Sequence, residues 1–242
     1  MKRDSRTPLR LGRRAAFAGA SILLASPAIV RAQGKASGYA LVIGNSKYQW
    51  EASLPNVKRD APDMARCFES LGLKTELVQD VGRDAINQAL DRFKTGISRG
   101  ANLAAFYFAG HGAAWAKDTY LVPIDADLST PKPDALLPVQ GLGQDMGKAT
   151  HRLMVFDNCR NNPADGWRQL EAERSAVINV DRQRENMASR APNTLSLFST
   201  APGRVAVDGP AGENSPFATS LLRQLEQPSI DFQSLPAKMR RD

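Results

Sequence analysis

Two stretches limit most strongly what this chain can fold into: Phe106-Tyr107-Phe108-Ala109-Gly110-His111-Gly112 and Leu153-Met154-Val155-Phe156-Asp157-Asn158-Cys159-Arg160. Each is a short apolar run that ends in a reactive side chain. Runs of about 4–8 apolar and aromatic residues bounded by Gly, Asn or Asp read as buried strands. In an open α/β sheet, ligands sit at the carboxyl ends of the strands. Two neighbouring parallel strands would present His111 and Cys159 side by side at one edge. An imidazole beside a thiol is the minimum equipment for a cysteine nucleophile, because the base takes the proton and the thiolate attacks.

The rest of the chain supports a sheet of this kind. Residues 39–44 are a β-branched-rich run and the expected first strand. Residues 56–71 carry apolar side chains at Val57, Ala61, Met64, Ala65, Phe68 and Leu71, and these spacings of three and four make one helix face. Gly72 is the signal that ends that helix. Residues 73–79 form a second strand. Residues 80–96 repeat the helical pattern through Ile86, Ala89, Leu90 and Phe93. Residues 103–108 are the third strand, and 152–156 the fourth. Residues 120–122 read as a short strand or hairpin arm, 125–140 as mostly loop, and 142–149 as a short helix. Residues 161–193 are polar and charged, 194–199 a last core strand, and 216–225 a helix capped by Asn214 or Ser215. Strands alternating with helices mean a mostly parallel sheet with helices on both faces. No phosphate-binding Gly-x-x-x-x-Gly-Lys-Ser/Thr and no Cys/His metal cluster is present.

At 242 residues, the chain is long enough for one sizeable core. Its net charge of +7 sits almost wholly at the start. Residues 1–32 hold seven Lys or Arg and one acid, leaving a net charge of only +1 for residues 33–242. A near-neutral body has no electrostatic footprint for nucleic acid. Arg13-Arg14 followed by the apolar run from Ala15 to Val30 reads as a cleaved export leader of the twin-arginine kind, residues 1–32. The run is broken by Pro27 and is shorter than the ~20 residues a membrane span needs, so no stable anchor is expected. Residues 33–242 would form one domain working in the periplasm or outside the cell. Cys67 lies some 15 Å along its helix, at about 1.5 Å per residue, and is expected to be a half-buried structural thiol rather than a disulfide partner of Cys159.

These residues carry a family resemblance. Ala109-Gly110-His111-Gly112 followed by Asp157-x-Cys159-Arg160 resembles the caspase-like cysteine peptidases, and in particular their bacterial metacaspase (orthocaspase) branch. Ala40-Leu41-Val42-Ile43-Gly44-Asn45, Leu54-Pro55-Asn56 with Asp60, Tyr120-Leu121-Val122-Pro123, Ser199-Thr200-Ala201-Pro202-Gly203 and Asn214-Ser215-Pro216-Phe217 fit the same family in the same order. The resemblance runs from about residue 39 to about residue 225. It implies an α/β three-layer caspase-like sandwich, and the family's usual length implies that the domain is cut short at residue 242. It also implies a cysteine endopeptidase acting on polypeptides, with Cys159 as nucleophile, His111 as base, and the backbone N–H groups of Gly112 and Cys159 as the oxyanion hole. No resident cofactor is implied. Some metacaspases use calcium held by acidic loop residues, for which Asp125 and Asp127 are loose candidates.

Of the two histidines, His151 precedes the strand that ends at Cys159, so about 25 Å of extended chain separates the two. Only His111 can meet the thiol. Asp157 lies two residues before Cys159 and so on the same strand face. Asp60 stands in the first turn of its helix, where a carboxylate also favours the helix dipole by about 0.3–1 kcal/mol. Two carboxylates flanking the nucleophile favour a cationic substrate side chain. In metacaspases the matching aspartates line an Arg/Lys pocket. Eukaryotic caspases carry an Arg-x-Gly-x-x-x-Asp segment that helps them read Asp; here Leu54 replaces that Arg. Cleavage after Arg or Lys is therefore expected. The rival expectations are a catalytically silent binding or regulatory module of the same fold, and a flavodoxin-like nucleotide-binding domain.

Overall fold

The computed structural model describes residues 37–115, 118–129, 133–158, 193–199, 210, 212–227, 229–230, 232 and 234–239. In chain order the elements are β1 (Gly38–Gly44), α1 (Val57–Ser70), β2 (Leu73–Gln79), α2 (Arg83–Ser98), β3 (Ala101–Gly110), β4 (Gly112–Trp115) and β5 (Asp118–Leu121). A 3₁₀ turn (Pro133–Ala135), β6 (Leu137–Pro138), α3 (Leu142–Asp145), β7 (Ala149–Asn158), β8 (Thr194–Phe198), α4 (Pro216–Leu225) and α5 (Leu235–Met239) follow. Five strands form one sheet in the order β2-β1-β3-β7-β8, and every described pair in it is parallel. All five carboxyl ends therefore meet at one edge.

Alternation of side chains along the strands builds two cores from the same strands. Ala40 and Val42, Ala105 and Tyr107, and Leu153 and Val155 face α1, α4 and α5. Leu41 and Ile43, Phe106 and Phe108, and Met154 and Phe156 face α2 and α3. The central strands are apolar at nearly every position because neither of their faces meets water. Gly44 lets α1 lie close on β1: a Cβ there would collide with the Cβ of Ala61 and meet Val57. Gly72, at a φ of 88°, turns the chain after α1.

The structure adjusts several expectations. The third and fourth strands are longer than their apolar runs, so Gly110, Asp157 and Asn158 lie inside the ladder. His151 is not ahead of the fourth strand but within β7, half-buried and paired with Leu103, at the end of β7 remote from Asn158. Cys67 is buried rather than half-buried, 6% exposed, on α1. The stretch expected to be loop holds β6, which with β4 and β5 makes a second, antiparallel sheet of three strands. These strands are four residues or fewer, too short for alternation to show in sequence. Among the described residues, no helix is long and apolar enough to cross a membrane. The expected leader and the charged stretch 161–192 lie outside the described residues.

Candidate active site

β3 and β7 are neighbours, and their register ends at Gly110 opposite Asn158. His111 is the next residue after Gly110. Cys159 is the next after Asn158, and lies outside the described residues.

His111 is held by the loop between β1 and α1. Its backbone N–H donates to the Tyr48 hydroxyl at 2.7 Å. The Tyr48 and His111 rings pack with centroids 4.5 Å apart, tilted by 53°. The imidazole Nε2 lies 2.8 Å from the Ala52 carbonyl oxygen. A carbonyl only accepts, so Nε2 is the protonated nitrogen, and the neutral ring keeps Nδ1 as its acceptor. Gly112 opens β4 and is buried.

The two carboxylates singled out from the sequence are brought together. Asp157 is an odd-numbered residue of β7, so it faces α1 with Tyr107 of β3. Asp60 stands in the first turn of α1 and is 1% exposed; Asp157 is 9% exposed. Buried carboxylates need hydrogen-bond donors. Both find one on Ser215, a residue whose role beyond helix capping the sequence did not show. The Ser215 backbone N–H donates to Asp60 Oδ1 at 2.9 Å, and its hydroxyl donates to Asp157 Oδ2 at 2.7 Å. The same Oγ accepts from the Ala218 N–H at 3.0 Å, which caps α4 as expected. The Tyr107 hydroxyl approaches Asp157 Oδ2 at 3.5 Å. Burial above all, then the charges of Asp157 and Asp60, push that phenol well above its ordinary range. It remains a donor throughout the physiological range.

The segment leading into α4 is moored to α1. Asn56 Nδ2 donates to the Pro210 carbonyl at 3.1 Å, and the Arg59 guanidinium donates to the Gly212 carbonyl at 2.6 Å. The reactive edge is closed from the other side by Asn45, which is fully buried. Its amide bonds both the N–H and the carbonyl of Val81, and also the Val122 carbonyl.

Asp125 and Asp127 are engaged elsewhere. The Asp125 carboxylate accepts the Arg83 N–H at the start of α2, and Asp127 accepts from Ser129 N–H. Among the described residues, no group of three or more His, Cys, Asp or Glu could hold a metal ion. Cys67 stands apart from the reactive edge, toward the far end of α1, and burial pushes its thiol up to about 11. Such a thiol stays protonated and unreactive at neutral pH.

A family model described as the caspase domain matches residues 37–242. The chain belongs to the caspase domain family. The fold agrees: the crystal structure of caspase-1 from Spodoptera frugiperda superposes with a TM-score of 0.60 at 16% identity, over 86% of this chain and 76% of that one. No curated protein matches the chain. Within the caspase domain, the sequence pointed to His111, Asp60, Asp157 and Gly112. It did not reveal Tyr48, Ala52 or Tyr107. Tyr48 and Ala52 act on His111 from about 60 residues away in sequence, through a hydroxyl and a main-chain carbonyl that no local pattern marks. Tyr107 reads simply as core until the strand pairing sets it beside Asp157.

Proposed function

We propose that this caspase-domain protein is a cysteine endopeptidase of the metacaspase kind, cleaving polypeptides after Arg or Lys. The observation that carries the reading is the Gly110–Asn158 register, since the residues that follow these two in sequence are His111 and Cys159. His111 Nδ1 takes the proton from the Cys159 sulfur, while Nε2–H stays bonded to the Ala52 carbonyl. The thiolate attacks the carbonyl carbon of the scissile bond. The N–H groups of Gly112 and Cys159 receive the resulting oxyanion. His111 then gives its proton to the leaving amine as the C–N bond breaks; the amine departs as the N-terminus of the C-terminal fragment, and the acyl part stays on sulfur as a thioester. Water, deprotonated by the same imidazole, hydrolyses the thioester and returns the thiol.

The convergence of Asp60 and Asp157 on Ser215 supports the preference for a basic side chain. A guanidinium or ammonium entering there would receive charge-assisted hydrogen bonds. Export by the 1–32 leader would place the activity in the periplasm or outside the cell.

Reporter peptides ending in Arg, Lys or Asp test the reading against wild type, Cys159→Ala and His111→Ala. Turnover of the Arg and Lys reporters by wild type alone is expected. Equal turnover by all three proteins would sink the mechanism. Efficient cleavage of the Asp reporter would sink the pocket assignment but leave the Cys–His pair standing. Rapid thiol labelling at Cys159 without turnover of any reporter would favour a silent binding module.

A further inference from the structure

The loop between β1 and α1 reaches the histidine at two points, the Ala52 carbonyl and the Tyr48 side chain, and the tyrosine is itself anchored on the second sheet. Tyr48 packs on a small apolar cluster of its own, formed by Ala113, Tyr120, Val122, Ala126, Leu128 and Leu136 under the three-stranded sheet. The loop backbone is tied down beside it. Ser46 and Lys47 N–H groups donate to Asp80 Oδ1 at 2.7 and 2.9 Å, Gln49 N–H donates to the Ile124 carbonyl at 3.0 Å, and Leu54 N–H closes back on Ser46 at 2.9 Å. From this anchorage the Tyr48 hydroxyl takes up the His111 N–H just past Gly110, where β3 ends, and its ring lies against the imidazole. Gly110 is what lets it approach: a Cβ there would lie 2.5 Å from the Tyr48 oxygen and 2.9 Å from Phe108 Cζ.

We propose that Tyr48 is the positioning residue that fixes both the main chain and the ring plane of His111 for proton transfer with Cys159. This rests on the Cys–His peptidase reading. The second sheet then has a function beyond burial: its apolar cluster holds the tyrosine, and the tyrosine holds the base. The Ala52 carbonyl sets which nitrogen carries the proton, and Tyr48 sets where the other nitrogen points. Both contacts are made to His111 and not to Asp60 or Asp157, so loss of Tyr48 should fall on the chemical step and not on binding. A reacting group displaced by about 1 Å can cost about a hundredfold in rate. Removing only the hydroxyl takes away the partner of one half-buried N–H while the ring still packs, a smaller displacement, expected to cost about tenfold.

The test uses the full chain with Tyr48→Phe, Tyr48→Leu and Gly110→Ala, the last adding a methyl where the tyrosine oxygen sits. His111→Ala is the reference. Three quantities are read: kcat and KM separately on an Arg reporter peptide, the rate of Cys159 alkylation by iodoacetamide at neutral pH followed by mass spectrometry, and the thermal unfolding midpoint. The expectation is a kcat lowered about tenfold in Tyr48→Phe and about a hundredfold in Tyr48→Leu and Gly110→Ala, with KM unchanged. The alkylation rate should fall in the same order toward that of His111→Ala, with phenylalanine recovering part of what leucine loses. Should Tyr48→Leu fail to fold, the other two variants carry the test. The proposal is overturned if folded variants keep wild-type kcat and alkylation, or if the loss falls in KM alone. A wild type that alkylates no faster than His111→Ala would overturn it differently, by removing the Cys–His pair on which it stands.

Discussion

At the scale of single residues, the site depends on polar groups buried with their partners already assigned. Ser215 is the clearest case. Its N–H serves Asp60, its O–H serves Asp157, and its lone pair caps α4. Ser215→Ala removes the last two of these and keeps the first. It should destabilise the fold by about 2–3 kcal/mol, from a lost cap and a buried carboxylate short of a donor, as read by urea denaturation. It should also raise KM for Arg and Lys reporters more than it lowers kcat; a change confined to kcat would remove Ser215 from the pocket. Cys67 gives a pH prediction with a fixed sign. Its folded thiol is pushed up to about 11, whereas an unfolded thiol ionises near about 8.5. Above that lower value the unfolded chain sheds a proton that the folded chain retains. Stability is then fully present below about pH 8.5 and declines as pH rises through about 11. In a Cys159→Ala background, Cys67→Ala should flatten the decline between about pH 8.5 and 9.5, below the titration of tyrosine. A slope that survives the substitution would assign it to another group.

At the scale of elements, close backbone approach decides where the site residues stand. α1 carries Asp60, and α1 rests on β1 at Gly44. Gly44→Ala would push the helix off the sheet. The expected cost is about 1–3 kcal/mol, seen as a lower urea midpoint at unchanged m-value, together with weaker binding of basic substrates. An alanine variant as stable and as active as wild type would mean that α1 can shift without consequence for Asp60. The long elements were legible because their periods were. The helix face through Val57, Ala61, Met64, Ala65 and Phe68 follows from burial on one face, and the unbroken apolar runs of β1, β3 and β7 follow from burial on both. Of the second sheet only β5 was legible, as the short strand or hairpin arm expected at residues 120–122. Its strands run over two to four residues, and their pairing is set by the partner strand, with too few side chains to mark it. His151 was placed outside β7 for a related reason: a polar residue at the start of a strand breaks the apolar run although the ladder continues through it.

At the scale of the whole molecule, binding at the reactive edge should be coupled to the stability of the fold. A peptide aldehyde ending in Arg, present at a hundred times its dissociation constant, should stabilise the wild type by about 2.7 kcal/mol. One ending in Asp should do nothing, and Asp60→Asn should abolish the effect of the first. Equal stabilisation by both aldehydes would separate binding from the acidic pair. The sequence by itself determined the layered α/β fold and singled out His111, Asp60 and Asp157 as candidate site residues. Each of these depends on a local period or on the distance one strand can span. Only the tertiary structure decided that β3 and β7 are neighbours ending in step, that Ser215 joins Asp60 to Asp157, and that Tyr48 and Ala52 grip His111. Those contacts join residues between about 50 and 155 positions apart. A chain's local pattern says which face of an element is buried, and packing alone says which distant polar atom that face will meet.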